Sequence, residues 1–281
     1  MFAPGDTRRI MRQFEIQADK RLGQNFLIEQ AALDKILKAA ELKASDTVLE
    51  VGAGLGVLTC ALAETAGHVV AVEFDRRLLP PLEWATQSFQ NVQLIHADIL
   101  SLELEDILPA GRYKVVANIP YNITSLLIRK TLEAVHPAEL VVLTIQREVA
   151  QRIVASPGEM SVLALSVQLY GTPEIFARIP AGCFYPRPKV DSAVIRVRMA
   201  ESPAIPHEDI QAFFLLVKAG FSQKRKQLKN SLSHALGWED EKTNELLMGA
   251  KIKPSIRAQE LSLEQWLRLV ALYQQEYSSQ T

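Results

Sequence analysis

From Thr47 to Gln146, short apolar runs alternate with amphipathic stretches. The runs are TVLEV (47–51), HVVAVE (68–73), VQLIH (92–96), YKVVAN (113–118) and ELVVLTI (139–145). Apolar residues that continue through both alternating positions mark strands covered on both faces. Between them VLTCALAETA (57–66), RRLLPPLEWATQSF (76–89) and ITSLLIRKTLEAV (123–135) suit helices, with Pro80 and Pro81 near the start of the second. Strands regularly separated by helices predict a parallel, doubly wound α/β sheet.

The flanks follow other rules. LIEQAALDKILKAAEL (27–42) places Ile28, Ala32, Ile36 and Leu37 on one helical stripe. After the sheet come a helical REVAQRIVAS (147–156), a Ser-Pro-Gly break at 156–158 and an apolar helix, SVLALSVQLYG (161–171). PEIFARI (173–179) and SAVIRVRM (192–199) read as strands enclosing the loop PAGCFYPRPKVD (180–191), a hairpin that adds an antiparallel strand to the sheet. AESPAIPHED (200–209) carries two prolines and reads as a connection, and Ile210 to Tyr277 is helical in pattern. The expected organisation is one α/β domain over 1–200, a linker over 201–209 and a small α-helical domain over 210–281.

Composition narrows the classes. A chain of 281 residues, 48% hydrophobic, can bury a sizeable core, which excludes a disordered or fibrous protein. Cys60 and Cys183 form neither a disulfide framework nor a CxxC pair and read as ordinary thiols of a reducing compartment. His68, His96, His136, His207 and His234 are scattered without ligand spacing, so no metal is expected. No apolar run approaches the roughly 18 residues of a membrane span, and the N-terminus lacks a signal-peptide core, so a cytoplasmic location is expected. A net charge of −1 argues against a generic nucleic-acid binder unless its basic residues cluster.

VLEVGAGLG (48–56) is a strand running into a glycine turn before a helix. Glycines serve where the backbone turns tightly and approaches a ligand, although a simple strand–helix turn has the same composition. A dinucleotide fingerprint requires G-x-G-x-x-G, whereas Gly52, Gly54 and Gly56 are followed by Val57, one residue out of register. With Glu50 leading, the spacing resembles motif I of S-adenosylmethionine-dependent methyltransferases. Glu73 ends the second strand, 21 residues after Gly52, where an acid accepts from both ribose hydroxyls. That position suits NAD equally. Asp98 ends the third strand and reads either as an acceptor for the cofactor's adenine amino group or as a helix cap. The glycines, Glu73 and Asp98 all fall at carboxyl ends of consecutive strands, where such sheets bind ligands.

The fourth strand ends in Asn118-Ile119-Pro120-Tyr121. An ordinary proline turn with Tyr121 packed beneath it would look the same in isolation. In this crevice it fits methylation of an exocyclic adenine amine, whose lone pair is delocalised into the ring. Acceptors for the two N6 hydrogens favour a more tetrahedral, more nucleophilic nitrogen. The Asn118 side-chain oxygen and the Pro120 carbonyl are the candidates, and Tyr121 offers a face on which an extruded base stacks.

Seven segments in order carry a wider resemblance: KRLGQNFL (20–27), LEVGAGLGVLT (49–59), VVANIPYNI (115–123), IQREVAQRI (145–153), FYPRPKVDSAVIRV (184–197), FSQKRKQLKNSL (221–232) and IRAQELSLEQWLRL (256–269). Nearly end to end, the sequence resembles the KsgA/RsmA family of ribosomal RNA adenine dimethyltransferases, departing from its more usual proline at Ala53. The resemblance implies a Rossmann-like sheet, mostly parallel with one antiparallel strand, with a helical C-terminal domain, acting with S-adenosylmethionine. Nothing in the sequence suggests more than a monomer. The resemblance implies that Asn25 and Leu27 close over the cofactor, with Gly52 and Gly54 beside it. Glu73 then holds the ribose, Asp98 the adenine, and Asn118 both the methionine end and the target amine. Phe184 becomes a second aromatic wall opposite Tyr121, or else a hydrophobic loop anchor. The family's substrates are two adjacent adenosines in the hairpin loop near the 3′ end of 16S rRNA, each dimethylated at N6 in the small subunit or its precursor.

A basic cluster meets the charge objection. Lys218, Lys224, Arg225, Lys226 and Lys229 lie in an acid-free run read as a helix, and Arg187 and Lys189 flank Pro188. Such a run is either a solvated helix face or a phosphate contact that positions RNA. The rival readings are a 23S rRNA adenine dimethyltransferase of the macrolide-resistance type and a ribosome-assembly binding protein without catalysis. A NAD dehydrogenase is disfavoured by the glycine register.

Overall fold

The computed structural model of the protein describes residues 3–109, 111–119, 123–132 and 134–278. The strands are β1 Phe26–Leu27, β2 Thr47–Val51, β3 His68–Glu73, β4 Val92–His96, β5 Lys114–Asn118, β6 Leu140–Gln146, β7 Gly171–Ile179, β8 Phe184–Tyr185 and β9 Ser192–Met199. The helices are α1 Thr7–Gln13, α2 Gln30–Ala40, α3 Val57–Ala63, α4 Leu79–Thr86, α5 Leu104–Ile107, α6 Thr124–Leu132, α7 Arg147–Ile153, α8 Val162–Gln168, α9 Ile210–Phe221, α10 Leu228–Leu236, α11 Asp240–Gly249 and α12 Leu263–Ser278.

Seven strands form one sheet in the order β4-β3-β2-β5-β6-β9-β7. The pairs β4–β3, β3–β2, β2–β5 and β5–β6 are parallel, and β9 runs antiparallel to β6. This is the mostly parallel α/β sheet with an antiparallel strand that the apolar periodicity predicts. Every residue of β5 up to Ala117 is buried, whereas β4, at the sheet's edge, is only partly covered. The chain adds β3 and β4 on one side of β2, then returns to add β5 and β6 on the other. Strand order therefore reverses between β2 and β5, and that reversal opens a ligand crevice at their carboxyl ends.

Near the opposite ends of these strands, Lys114 is 4% exposed. Its Nζ donates to the Ala40 and Glu41 carbonyls at 3.2 and 2.7 Å and pairs with Asp46 Oδ2 at 2.8 Å. A buried ammonium so surrounded is satisfied and ties the C-terminus of α2 to the sheet.

Two features depart from the sequence reading. The loop 180–191 contains β8, which pairs antiparallel with β1 in the register Phe26↔Tyr185 and Leu27↔Phe184. The N-terminal stretch forms α1, with Thr7, Ile10 and Met11 buried and a bond from Thr7 Oγ1 to the Leu27 carbonyl at 2.7 Å.

The chain divides into two compact units, Met1–Ala150 with Thr172–Glu201, and Gln151–Gly171 with Ser202–Thr281. The expected division kept everything up to residue 200 in one domain. Instead α8 groups with the C-terminal helices. The Ala204 N–H donates to the Leu169 carbonyl at 2.8 Å, and the Gly158 and Met160 N–H groups both donate to the Gln259 carbonyl. The second unit is all helical and builds its core on Trp266, Phe213, Leu216 and Leu269. No helix among the described residues is long and apolar enough to cross a membrane.

Candidate active site

The cavity at the strand reversal lies wholly within the first unit, lined by the carboxyl ends of β2, β3, β4 and β5 and by residues 22–27. Its floor is the glycine turn. Gly52, Gly54 and Gly56 have φ of 74°, 60° and 86°, a left-handed conformation that side chains resist. At Gly54 a Cβ would also come within 3.4 Å of the Phe26 ring.

The Gly54 N–H donates to Glu73 Oε2 at 2.7 Å, and the Asp75 N–H donates to Glu73 Oε1 at 2.8 Å. The turn and the strand-end acid are thus one unit, each oxygen of Glu73 fixed by a backbone donor. Burial pushes the Glu73 carboxyl up, and those two N–H groups oppose the shift. Glu50 is 1% exposed with no bonded partner at Oε2, and burial, reinforced by the Glu73 charge, pushes it up to about 8.

Asp98 caps the short turn Ile99–Ser101, accepting from the Leu100 N–H at 2.9 Å through Oδ1, while also lining the cavity. The cap reading of Asp98 is thus met, and its place in the cavity wall is compatible with the adenine-acceptor reading. Asn25 closes its own turn, Nδ2 donating to the Gly23 carbonyl at 2.9 Å. Asn118 Nδ2 donates to the Asn25 carbonyl at 3.3 Å. A carbonyl can only accept, so the nitrogen of the Asn118 amide faces it and Oδ1 is left as an acceptor. Pro120 and Tyr121 lie outside the described residues.

Phe184 is 2% exposed within the hydrophobic core, paired with Leu27 across the β1–β8 ladder, a setting that suits the hydrophobic loop anchor. The basic residues are redistributed. Lys218 lies on α9, but Lys224, Arg225 and Lys226 occupy the turn between α9 and α10, all exposed. Lys229 pairs with Asp240 at 2.9 Å, so its charge is already engaged. Arg187 and Lys189 are exposed in the first unit.

The sequence reading missed three residues. Gln24 Nε2 donates to Asp75 Oδ2 at 2.7 Å, and Gln24 Oε1 accepts from the Asp19 N–H at 2.8 Å. The Arg77 guanidinium, ahead of the Gln24 amide, holds the Asp75 carboxyl below the usual range. Phe74, between the two acids, is 57% exposed at the cavity edge. An aromatic residue left exposed at a strand's carboxyl end was the available signal for it.

Four carboxylates line the cavity, from Glu50, Glu73, Asp75 and Asp98, and no lysine, arginine or histidine does so among the described residues. A dinucleotide's pyrophosphate would face these acids without a cation. A ligand carrying a sulfonium and an ammonium suits a cavity lined by acids and by no described cation. The fold and this acidic crevice define a methyltransferase that uses S-adenosylmethionine.

The sequence matches the family model described as ribosomal RNA adenine dimethylase over residues 15–275. The chain belongs to the ribosomal RNA adenine dimethylase family. It is 44% identical over 267 residues to a ribosomal RNA small subunit methyltransferase A of Dehalococcoides mccartyi, covering 95% of this chain and 92% of the relative. It is 41% identical over 280 residues to the protein of that name from Pelotomaculum thermopropionicum, covering 94% of each. Among solved structures, the 23S rRNA methyltransferase ErmE is similar with a TM-score of 0.72 and 29% identity, over 88% of this chain and 99% of that one. A dimethyladenosine transferase from Plasmodium falciparum has the same fold, with a TM-score of 0.77 and 24% identity over 89% and 98%.

Proposed function

We propose that the protein dimethylates N6 of two adjacent adenosines in the hairpin loop near the 3′ end of 16S rRNA, in the small subunit or its precursor, as a monomer and as a step of subunit biogenesis. The observation that carries this reading is the orientation of the Asn118 amide: its nitrogen is taken by the Asn25 carbonyl, and Oδ1, at the mouth of the crevice, accepts from no donor among the described residues.

Bound S-adenosylmethionine supplies an electrophilic methyl group on a sulfonium. Glu73 takes the ribose hydroxyls, Asp98 the adenine amino group, and Phe74 the face of the adenine ring. Asn25, Leu27, Gly52 and Gly54 enclose the remainder. Asn118 Oδ1 accepts one N6 hydrogen of the target adenosine and the Pro120 carbonyl the other, which pulls the nitrogen toward a tetrahedral geometry. Tyr121 stacks on the extruded base. A second round requires only one N6 hydrogen, so the pocket accepts a monomethylated amine with one acceptor engaged. Arg187, Lys189, Lys218, Lys224, Arg225 and Lys226 meet phosphates and position the RNA through its backbone.

The small-subunit assignment draws support from the relatives at 44% and 41% identity, against 29% for the 23S enzyme. Labelled S-adenosylmethionine with isolated, unmethylated small or large subunits tests it, followed by mapping of the product. Dimethyladenosine at two adjacent positions of the small-subunit RNA is expected. Label on the large subunit alone would transfer the assignment to 23S rRNA. Label on neither, with the cofactor still bound, would make the protein a non-catalytic binding factor.

A further inference from the structure

The strand β8 turns one aromatic ring inward and the next outward. Phe184 is buried at 2% exposure, while Tyr185, directly after it, is 41% exposed. The Arg8 guanidinium lies over the Tyr185 ring, 5.0 Å from its centroid. An aromatic ring that stays open to solvent while a cation orders it has the make-up of a stacking platform.

Its position is fixed by three ties. Tyr185 stands opposite Phe26 in the β1–β8 ladder, and the Ile28 N–H donates to the Cys183 carbonyl at 2.9 Å. Thr7 Oγ1 on α1 donates to the Leu27 carbonyl, which places Arg8. Asn25, the residue before Phe26, accepts the Asn118 amide at 3.3 Å. The register sets Tyr185 directly across the ladder from Phe26, which itself lines the methyl-transfer crevice, so the platform is one ladder position from the crevice wall.

The surrounding charge is positive. Arg8, Arg12, Arg187 and Lys189 are all exposed, and none forms an ion pair among the described residues. By contrast, Arg9 and Arg21 are neutralised by Asp6 and Asp19 at 3.0 Å each. Open cations beside an open aromatic ring suit a phosphodiester with an unpaired base. An acidic protein segment would use the cations and leave the ring idle.

We propose that Tyr185, capped by Arg8, is a second nucleotide site: it stacks the unpaired base next to the target adenosine while Arg187 and Lys189 take the adjoining phosphates. The proposal rests on the rRNA-methylating reading above. When two adjacent adenosines must be presented in turn, a fixed seat for the neighbour holds the strand while the target occupies the crevice.

The test uses the full chain and a hairpin RNA carrying 2-aminopurine beside the target adenosine, alongside unmethylated small subunits. Stacking on Tyr185 quenches the probe in the wild type. Tyr185→Leu is expected to lose that quench and to raise KM for RNA roughly tenfold, the scale of one stacked base, with cofactor affinity and melting temperature unchanged. Tyr185→Trp is expected to restore both, and Arg8→Glu, on an exposed helix face, to weaken RNA binding without touching cofactor binding. Wild-type quench and KM in Tyr185→Leu, while Asn118→Ala abolishes transfer, would overturn the platform and leave the proposed function standing. Weakened binding to whole subunits, with binding and quench on bare RNA unaltered, would assign the surface to a ribosomal protein and overturn it too. Failure of the wild type to methylate any rRNA would overturn both readings.

Discussion

The side-chain amide of Asn118, at the end of β5, donates to the main-chain carbonyl of Asn25, 93 residues earlier in the chain. This bond fixes which end of the amide faces the crevice, and it ties the N-terminal segment to the end of β5. In the proposed reaction, Asn118→Ala removes the acceptor for the target amine while leaving Glu73, Asp98 and the glycine turn in place. The expected result is an unchanged fold, most cofactor affinity retained, and single-turnover methyl transfer slowed by about 10²–10³-fold, the usual effect of losing one preorganised hydrogen-bonding group. Near-normal turnover would show that Asn118 does not hold the amine.

Gln24 ties the N-terminal segment to the end of β3 at the crevice, giving an N–H to Asp75 and receiving one from Asp19. Asp75 is 7% exposed and kept ionised by Arg77, so the amide–carboxylate bond is charge-assisted and shielded from water. Gln24→Ala frees the segment that carries Asn25 and Leu27. Losing a bond to a charged group costs about 1.5–3 kcal/mol, so cofactor affinity should fall by tenfold or more. Turnover at saturating cofactor should stay within about twofold, because Gln24 acts only through the segment it holds. Calorimetric titration with steady-state rates checks the split; an equal loss in both quantities would place Gln24 in the chemical step.

What was legible in the sequence follows from the range of the interactions. The sheet was readable because β2, β3, β5 and β6 are covered on both faces and so are mostly apolar, with few polar residues among them. That Glu73, Asp98 and Asn118 would meet around one cavity was readable because the crevice of such a sheet follows from strand order. The ladder β1–β8 was hidden: two-residue strands have no periodicity, and β8 lies in a segment punctuated by Pro186 and Pro188. The same ladder places Phe184 opposite Leu27, in the hydrophobic core. The Gln24–Asp75 bond joins side chains 51 residues apart with no motif to announce it. Lys229 looked like its basic neighbours until the fold brought Asp240 to it.

Gly56 shows that a motif glycine can serve packing rather than ligand approach. It is the N-cap of α3 with φ of 86°, and a Cβ there would meet Ala85 Cβ at 3.0 Å and Leu82 Cδ1 at 3.1 Å on α4. Gly56→Ala therefore combines backbone strain with a clash against a neighbouring helix. A loss of about 1–3 kcal/mol is expected in urea unfolding, seen as a lower midpoint at unchanged slope. Gly54→Ala meets the Phe26 ring only at ordinary contact distance but distorts the N–H that holds Glu73, so it should weaken cofactor binding more than stability. Reversal of that order between the two variants would refute the division of roles.

Glu50 makes cofactor binding a proton-linked event. Its carboxyl is raised from 4.5 to about 8 by burial and by the Glu73 charge, so near neutrality it is largely protonated when the crevice holds no cation. Glu73, Asp75 and Asp98 face the same space, and no basic residue does among the described ones. The sign of the stability effect follows directly. The folded protein retains a proton that the unfolded chain has released above about pH 4.5, so the stability due to Glu50 declines as pH rises from 4.5 to about 8. Thermal unfolding of the cofactor-free protein should show that decline, and Glu50→Gln should remove its part of it. Binding has the opposite slope: a sulfonium favours the ionised carboxylate, so S-adenosylmethionine should bind more tightly as pH rises toward 8, by at most about tenfold per unit. S-adenosylhomocysteine, an uncharged thioether at the same position, should show a shallower dependence, and Glu50→Gln should bring the two ligands to the same slope. Calorimetry of both ligands between about pH 6 and 8 measures the difference. A ratio of affinities independent of pH in the wild type would mean that Glu50 does not exchange its proton on binding.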